Sequence, residues 1–219
     1  MNYAFTNGKI LDGTRDMHVQ TGLCILVQDG TITDIVPDTA DLADYETIDL
    51  QGRYIMPGLI NMHVHLAGNG KPQKKQRDNE KLVKKIMRSS LTRAVAYKMV
   101  SGFAKDELLS GVTTIRTVGG LGSFDTRLRD EIAAGTKVGP RILAANEGIS
   151  VPGGHMAGSV AIAAASIPEA LAHLEQSKKE KVDLVKLMIT GGVLDAKEKG
   201  VPGELKMSPD MVRAVCDKA

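Results

Sequence analysis

At Met56-Pro57-Gly58 the chain changes its period, and that change limits what it can fold into. In residues 1–56 short strand-like runs are broken by glycine turns at Asn7-Gly8, Asp12-Gly13, Asp29-Gly30 and Gln51-Gly52. The clearest hairpin is Leu23–Val27, then Asp29-Gly30, then Thr31–Val36. Asp-Gly supplies the positive φ angles of a tight type I′ turn. Short, closely spaced strands of this kind predict a small β-sandwich or part of one. From residue 57 onward, apolar runs at 59–66, 112–118, 141–145 and 182–190 alternate with helical periodicity at 78–110, 125–134 and 168–179, and with a helix starting at Ser208-Pro209-Asp210. In the longest of these, Leu82, Val83, Ile86, Met87, Leu91, Val95 and Met99 recur at helical spacing. In the last, Ser208 is the N-cap and Pro209 the first helical residue. Four strand–helix units imply parallel strands with crossover helices, an α/β architecture. Each predicted strand runs into a Gly-rich or polar loop, the end at which α/β barrels carry their chemistry.

Composition narrows the class. At 42% hydrophobic, 25% charged and a formal net charge of +2, the 219 residues fit a globular protein with a core and exclude disordered, collagen-like and coiled-coil sequences. No window approaches 18 consecutive apolar residues, so no membrane span is predicted. The first residues lack a charged segment followed by an apolar one, so no secretory signal is read. Two cysteines, Cys24 and Cys216, are too few for a disulfide framework and read as free thiols in a reducing cytoplasm. Lys71, Lys74, Lys75, Arg77, Lys81, Lys84, Lys85, Arg88, Arg93 and Lys98 face only Asp78 and Glu80, a local +8. Without interleaved aromatics this run reads as a solvated helix face or a rim that attracts carboxylates, and no nucleic-acid partner is expected.

Three features could carry chemistry. In His63-Val64-His65, residues i and i+2 of a strand share a face. Two adjacent neutral imidazoles are suited to one cation, zinc foremost, with Val64 on the buried face. The bland reading is two unrelated polar residues at a strand end. Lys186, inside Asp183-Leu184-Val185-Lys186-Leu187-Met188-Ile189, is a lysine in an apolar strand. Burial disfavours its ammonium form, and the free amine could form a Schiff base or take up carbon dioxide as a carbamate. A lysine that snorkels to the strand end is the plain alternative. His155, in Val151-Pro152-Gly153-Gly154-His155-Met156, is either a pocket residue or an ordinary loop histidine. His18 and His173 read as surface or turn residues, and Gly119-Gly120-Leu121-Gly122 and Gly191-Gly192 match no phosphate-binding spacing.

The run Ile48–Leu66, through Pro57-Gly58-Leu59-Ile60-Asn61-Met62-His63-Val64-His65, resembles the entry to the metal-dependent amidohydrolase superfamily. Gly111–Gly120 is similar to that family's second barrel strand. Val185–Gly192 resembles strand four of its imidazolonepropionase-like and prolidase-like (Xaa-Pro dipeptidase-like) branch. The resemblance implies a (βα)8 TIM barrel preceded by sandwich strands. Residues 1–56 would form the N-terminal part of the sandwich and 57–219 the first half of the barrel. It implies that His63 and His65 bind metal and that Lys186 is a catalytic, carbamylated lysine bridging two divalent metals, most simply two zinc ions; His155, from its place in the loop rather than from the resemblance, is the candidate substrate-binding residue. The implied reaction is hydrolysis of an amide or related C–N bond in a dipeptide, an N-acyl amino acid or a cyclic amide, by a metal-bound hydroxide. A cytoplasmic homo-oligomer is the expected assembly.

Asn61 stands where the family often has aspartate, and Thr117 where many relatives have the aspartate of an Arg-Asp-Val-Gly-Gly motif. The family's further ligands, histidines on strands five and six and an aspartate on strand eight, lie outside these residues. A complete barrel takes about 250 residues, so the four units are expected to need the C-terminal half of the same barrel as partner. A non-catalytic scaffold or assembly protein on the same fold is the rival reading.

Overall fold

The structure, a computed structural model, describes residues 1–70, 78–192 and 203–219. Lys71, Lys74, Lys75 and Arg77 of the basic run lie outside the described residues. The chain divides into two compact units, Met1–Gly58 and Leu59–Ala219.

The first unit holds β1 (Asn2–Thr6), β2 (Lys9–Ile10), β3 (Leu23–Gln28), β4 (Thr31–Pro37), β5 (Glu46–Asp49) and β6 (Tyr54–Ile55). Four of them form a sheet in the order β4-β3-β1-β5, while β2 and β6 pair in parallel beside it. The β3–β4 hairpin turns through Asp29 (φ 49°) and Gly30 (φ 79°), both in the left-handed region a type I′ turn requires. Ala4, Ile10, Cys24, Ile25 and Leu26 make this unit's buried apolar set.

The second unit is built on β7 (Leu59–Val64), β8 (Val112–Thr117) and β9 (Arg141–Leu143), all parallel and in sequence order. Around them run α1 (Asn79–Met87), α2 (Ser90–Leu109), α3 (Phe124–Ala133), α4 (Ile167–Lys179) and α5 (Pro209–Lys218). Val64, Ile115 and Ile142 project from one face of the sheet onto Ala96, Tyr97, Val100 and Ala104 of α2 and Leu128 of α3. A second core joins α4 and α5 through Ala170, Leu174, Met211 and Val215, with Ile149 and Met207. Along β8 the alternation is plain: Ile115 and Thr117 are buried, and Thr114 and Arg116 are half-buried. Ile60, Met62 and Leu143 are exposed. A closed barrel fills its interior with such side chains.

Three expectations need correction. The helical stretch 78–110 is two helices, because Ser89 leaves helical geometry (φ −121°, ψ 152°) and its Oγ accepts from Thr92 N, starting α2 afresh. The segment read as a loop after the third run contains β10 (Gly148–Ser150) and β11 (Ala161–Ala163), a parallel pair too short to show a period. The fourth run, 182–190, forms no strand: its ladder shrinks to single bridges from Leu187 to Ile149 and from Thr190 to Leu205. Among the described residues, the three-residue β10 is the parallel neighbour this run meets, and it meets it at Ile149 alone. The last helix starts where the sequence places it, with Ser208 as N-cap accepting from Met211 N.

Candidate metal centre

β7 delivers His63, and the chain turns just past its end with His65, while Val64 points into the core. The two rings stand 5.2 Å apart at 66°, with their Nε2 atoms 3.3 Å from each other. His65 Nδ1 lies 3.0 Å from the carbonyl oxygen of Gly119. A carbonyl only accepts, so this contact assigns the proton to Nδ1 and leaves the Nε2 lone pair facing His63. Histidine metal ligands are commonly held this way, the outer nitrogen donating to a backbone carbonyl. Gly119 itself has φ 135° and is buried against His65, Met188 and Val160. Asn61 fixes the strand from below: its Oδ1 accepts from His63 N at 3.2 Å. Thr117 is fully buried, its Oγ1 accepting from Ala145 N at 3.3 Å.

Lys186 enters from the fourth run. Its carbonyl accepts from Ile149 N at 2.8 Å, and Ile149 O accepts from Met188 N at 2.9 Å. Its side chain passes over Gly148, where an added Cβ would stand 3.3 Å from Lys186 Cγ. His155 is anchored by its backbone N to Thr190 O at 2.9 Å, and its ring lies against the α-carbon of Gly192. The four side chains His63, His65, His155 and Lys186, with Leu187–Thr190, line one open cavity of about 210 Å³.

The electrostatics follow from that clustering. Burial, then Lys186 and His65, push the His63 imidazole below the usual histidine range. Burial, then His65 and Lys186, do the same to His155. Burial, then the Arg116 guanidinium, pull the Lys186 ammonium down. Arg116 projects from β8 and donates from Nε to Met62 O at 2.9 Å. No carboxylate is among the cavity's described lining residues, so bases meet bases, and His63, His155 and Lys186 are biased toward their neutral, lone-pair-bearing forms. Among the described residues no three His, Cys, Asp or Glu side chains stand close enough together to hold one metal ion. What converges is two imidazoles and an amine, a donor set that suits part of the shell of a divalent cation such as zinc.

Reading the residues alone passed over Arg116 and Gly119. The i, i+2 parity of Thr114 and Arg116 on β8 was the available signal for the first. The second, a carbonyl contact spanning 54 residues, has no local signal. Of the basic run, Lys81 and Lys84 are exposed and pair with Asp78 and Glu80 on their own helix, as a solvated face does.

The profile of the amidohydrolase family matches residues 54–219. The chain belongs to the amidohydrolase family. A Bifidobacterium longum protein assigned as a prolidase aligns over 100% of this chain and 46% of its own, at 33% identity and a TM-score of 0.75. A Xaa-Pro dipeptidase solved with bound methionine aligns over 100% of this chain and 54% of its own, at 29% identity and a TM-score of 0.75. A dihydroorotase of Syntrophobacter fumaroxidans is 39% identical over 77 residues, 33% of this chain and 17% of that protein. This family member therefore spans about half the length of the solved amidohydrolases it matches. Its second unit is the corresponding part of a TIM barrel. No described helix is long and apolar enough to cross a membrane.

Proposed function

We propose that this chain contributes the first metal ligands of a metal-dependent hydrolase acting on amide or related C–N bonds. The observation that carries the proposal is the convergence of His63 and His65 at 3.3 Å, with His65 locked by the Gly119 carbonyl. His63 Nε2 and His65 Nε2 would hold a divalent cation, most simply zinc. Lys186, biased toward its free amine, would attack carbon dioxide through Nζ, losing a proton as the N–C bond forms. The resulting carbamate has two oxygens and could serve two cations. A cation bound there would polarise the scissile carbonyl and lower the pKa of water. His155, half-buried and lining the same cavity as Lys186, would hold the substrate. The Arg116 guanidinium beside the cavity favours a substrate bearing a carboxylate.

The remaining ligands belong to barrel units outside these residues, so the working protein is this half together with its barrel complement, in a cytoplasmic homo-oligomer. Dipeptides, N-acyl amino acids and cyclic amides are the substrates to test, given the dipeptidase, prolidase and dihydroorotase relatives. The test uses the complete protein loaded with zinc. Lys186→Ala and His63→Ala are each expected to lower hydrolysis on the order of 10³-fold, the several kcal/mol a metal supplies. Full activity in either variant refutes the proposal.

A further inference from the structure

Asp125, in the first turn of α3, is 1% exposed, and its Oδ2 has no hydrogen-bond partner. An orphaned buried carboxyl group calls for an explanation. Capping of α3 does not provide one. Ser123 makes no side-chain cap bond, and the free N–H of Thr126 is taken instead by Asn146 Oδ1 at 3.0 Å. Asn146 is itself buried, with φ 55°, and donates to Thr126 Oγ1 and to Glu180 Oε2.

Relieved of capping, Asp125 turns back to the loop after β8. A Cβ added to Gly120 would stand 2.5 Å from Oδ2 and 2.9 Å from Oδ1, so the carboxyl group lies flat against the Gly120 α-carbon. The Thr117 hydroxyl, on the last residue of β8, donates to Leu143 O at 3.5 Å and is near enough to this carboxyl group to oppose the effect of its burial. Between those two contacts lie Val118, whose N donates to Val64 O at 3.1 Å, and Gly119, whose carbonyl takes His65 Nδ1. The carboxyl group therefore lies against both ends of the turn Thr117–Gly120 that presents this carbonyl. Burial pushes its pKa up to about 6, so the group is retained against a desolvation penalty.

We infer that Asp125 is a positioning residue: by bracing Thr117 and Gly120 it sets the Gly119 carbonyl that fixes the His65 tautomer and aims Nε2 at the cation. The inference rests on the proposal that His63 and His65 bind metal.

The test uses the complete protein with Zn²⁺ as probe, in Asp125→Ala, Asp125→Asn and His65→Ala. Zinc affinity is measured by chelator competition, and the His65 tautomer by long-range ¹H–¹⁵N spectra of metal-free, ¹⁵N-histidine-labelled protein. Asp125→Ala is expected to weaken zinc binding about tenfold or more, the usual effect of losing an outer-shell partner. It should also mix the two His65 tautomers without metal, which loss of packing elsewhere would not do. Asp125→Asn keeps the shape and is expected to restore both readouts. A folded Asp125→Ala with unchanged affinity and a single Nδ1–H tautomer overturns the inference. If His65→Ala loses zinc in the same series, only the positioning role has failed. If His65→Ala retains zinc, the metal reading fails and this inference with it. Should Asp125→Ala not fold, the isosteric Thr117→Val decides: a smaller shift in the same direction supports the role, and no shift overturns it.

Discussion

Gly119→Ala is the perturbation whose size can be worked most directly from the structure. Gly119 sits at φ 135°, where an L-residue is strained, at about 1–3 kcal/mol. Its new methyl group would stand 3.0 Å from Met188 Cε, 3.1 Å from Val160 O and 3.2 Å from His65 Cε1. Met188 can swing its terminal methyl aside, but the Val160 carbonyl is backbone that also accepts from Gly148 N at 3.0 Å. The imidazole is the remaining neighbour able to give way, and moving it lengthens the Nδ1 contact to the Gly119 carbonyl. We expect a destabilisation of about 2–4 kcal/mol, combining strain with overpacking. We also expect zinc affinity to fall about tenfold or more through the displaced ligand. Urea denaturation of the metal-free complete protein measures the first, and chelator competition the second. A variant within about 0.5 kcal/mol of the parent, the range of a neutral surface change, with unchanged zinc affinity refutes both the strain argument and the link from this carbonyl to His65.

Other consequences are checked in the same preparations. Asp125 has a folded pKa of about 6 against an ordinary 3.8. Its stabilising contribution is thus complete below pH 3.8 and is lost as pH rises through 6, a difference of roughly 3 kcal/mol. Asp125→Asn lacks that loss, so denaturation at pH 4 and pH 7 should show the variant gaining on the parent with pH; a constant difference contradicts the burial argument. Ser208→Ala removes the oxygen that accepts from Met211 N at 3.2 Å and is expected to cost about 1 kcal/mol. Its activity should be unchanged, since α5 packs on α4 in the second core.

Much of the architecture is readable from local pattern. The Asp29-Gly30 hairpin, the Ser208-Pro209 helix start and the apolar runs of β7 and β8 each follow from a few adjacent residues. What local pattern misses depends on partners. Leu82–Met99 keeps a helical period across Ser89, so the period alone cannot show that Ser89 caps a second helix. The apolar run around Lys186 looks like a strand, but a ladder needs a neighbour, and Ile149 is the residue of β10 that meets it. The same holds at the site. The two-residue spacing of His63 and His65 suffices to bring their rings together. The Gly119 carbonyl, the Arg116 charge and the Asn146 cap on α3 come from elsewhere in the chain, through contacts of long sequence separation.

His63, His65 and Lys186 are proposed to hold divalent metal. Elemental analysis of the complete protein, purified without chelators and compared with His63→Ala, His65→Ala and Lys186→Ala, tests it most directly. Two equivalents of divalent metal per chain are expected in the parent, with loss of one or both in Lys186→Ala and little metal in either histidine variant. A parent without metal, or three variants that retain the parent's full content, contradicts the proposal.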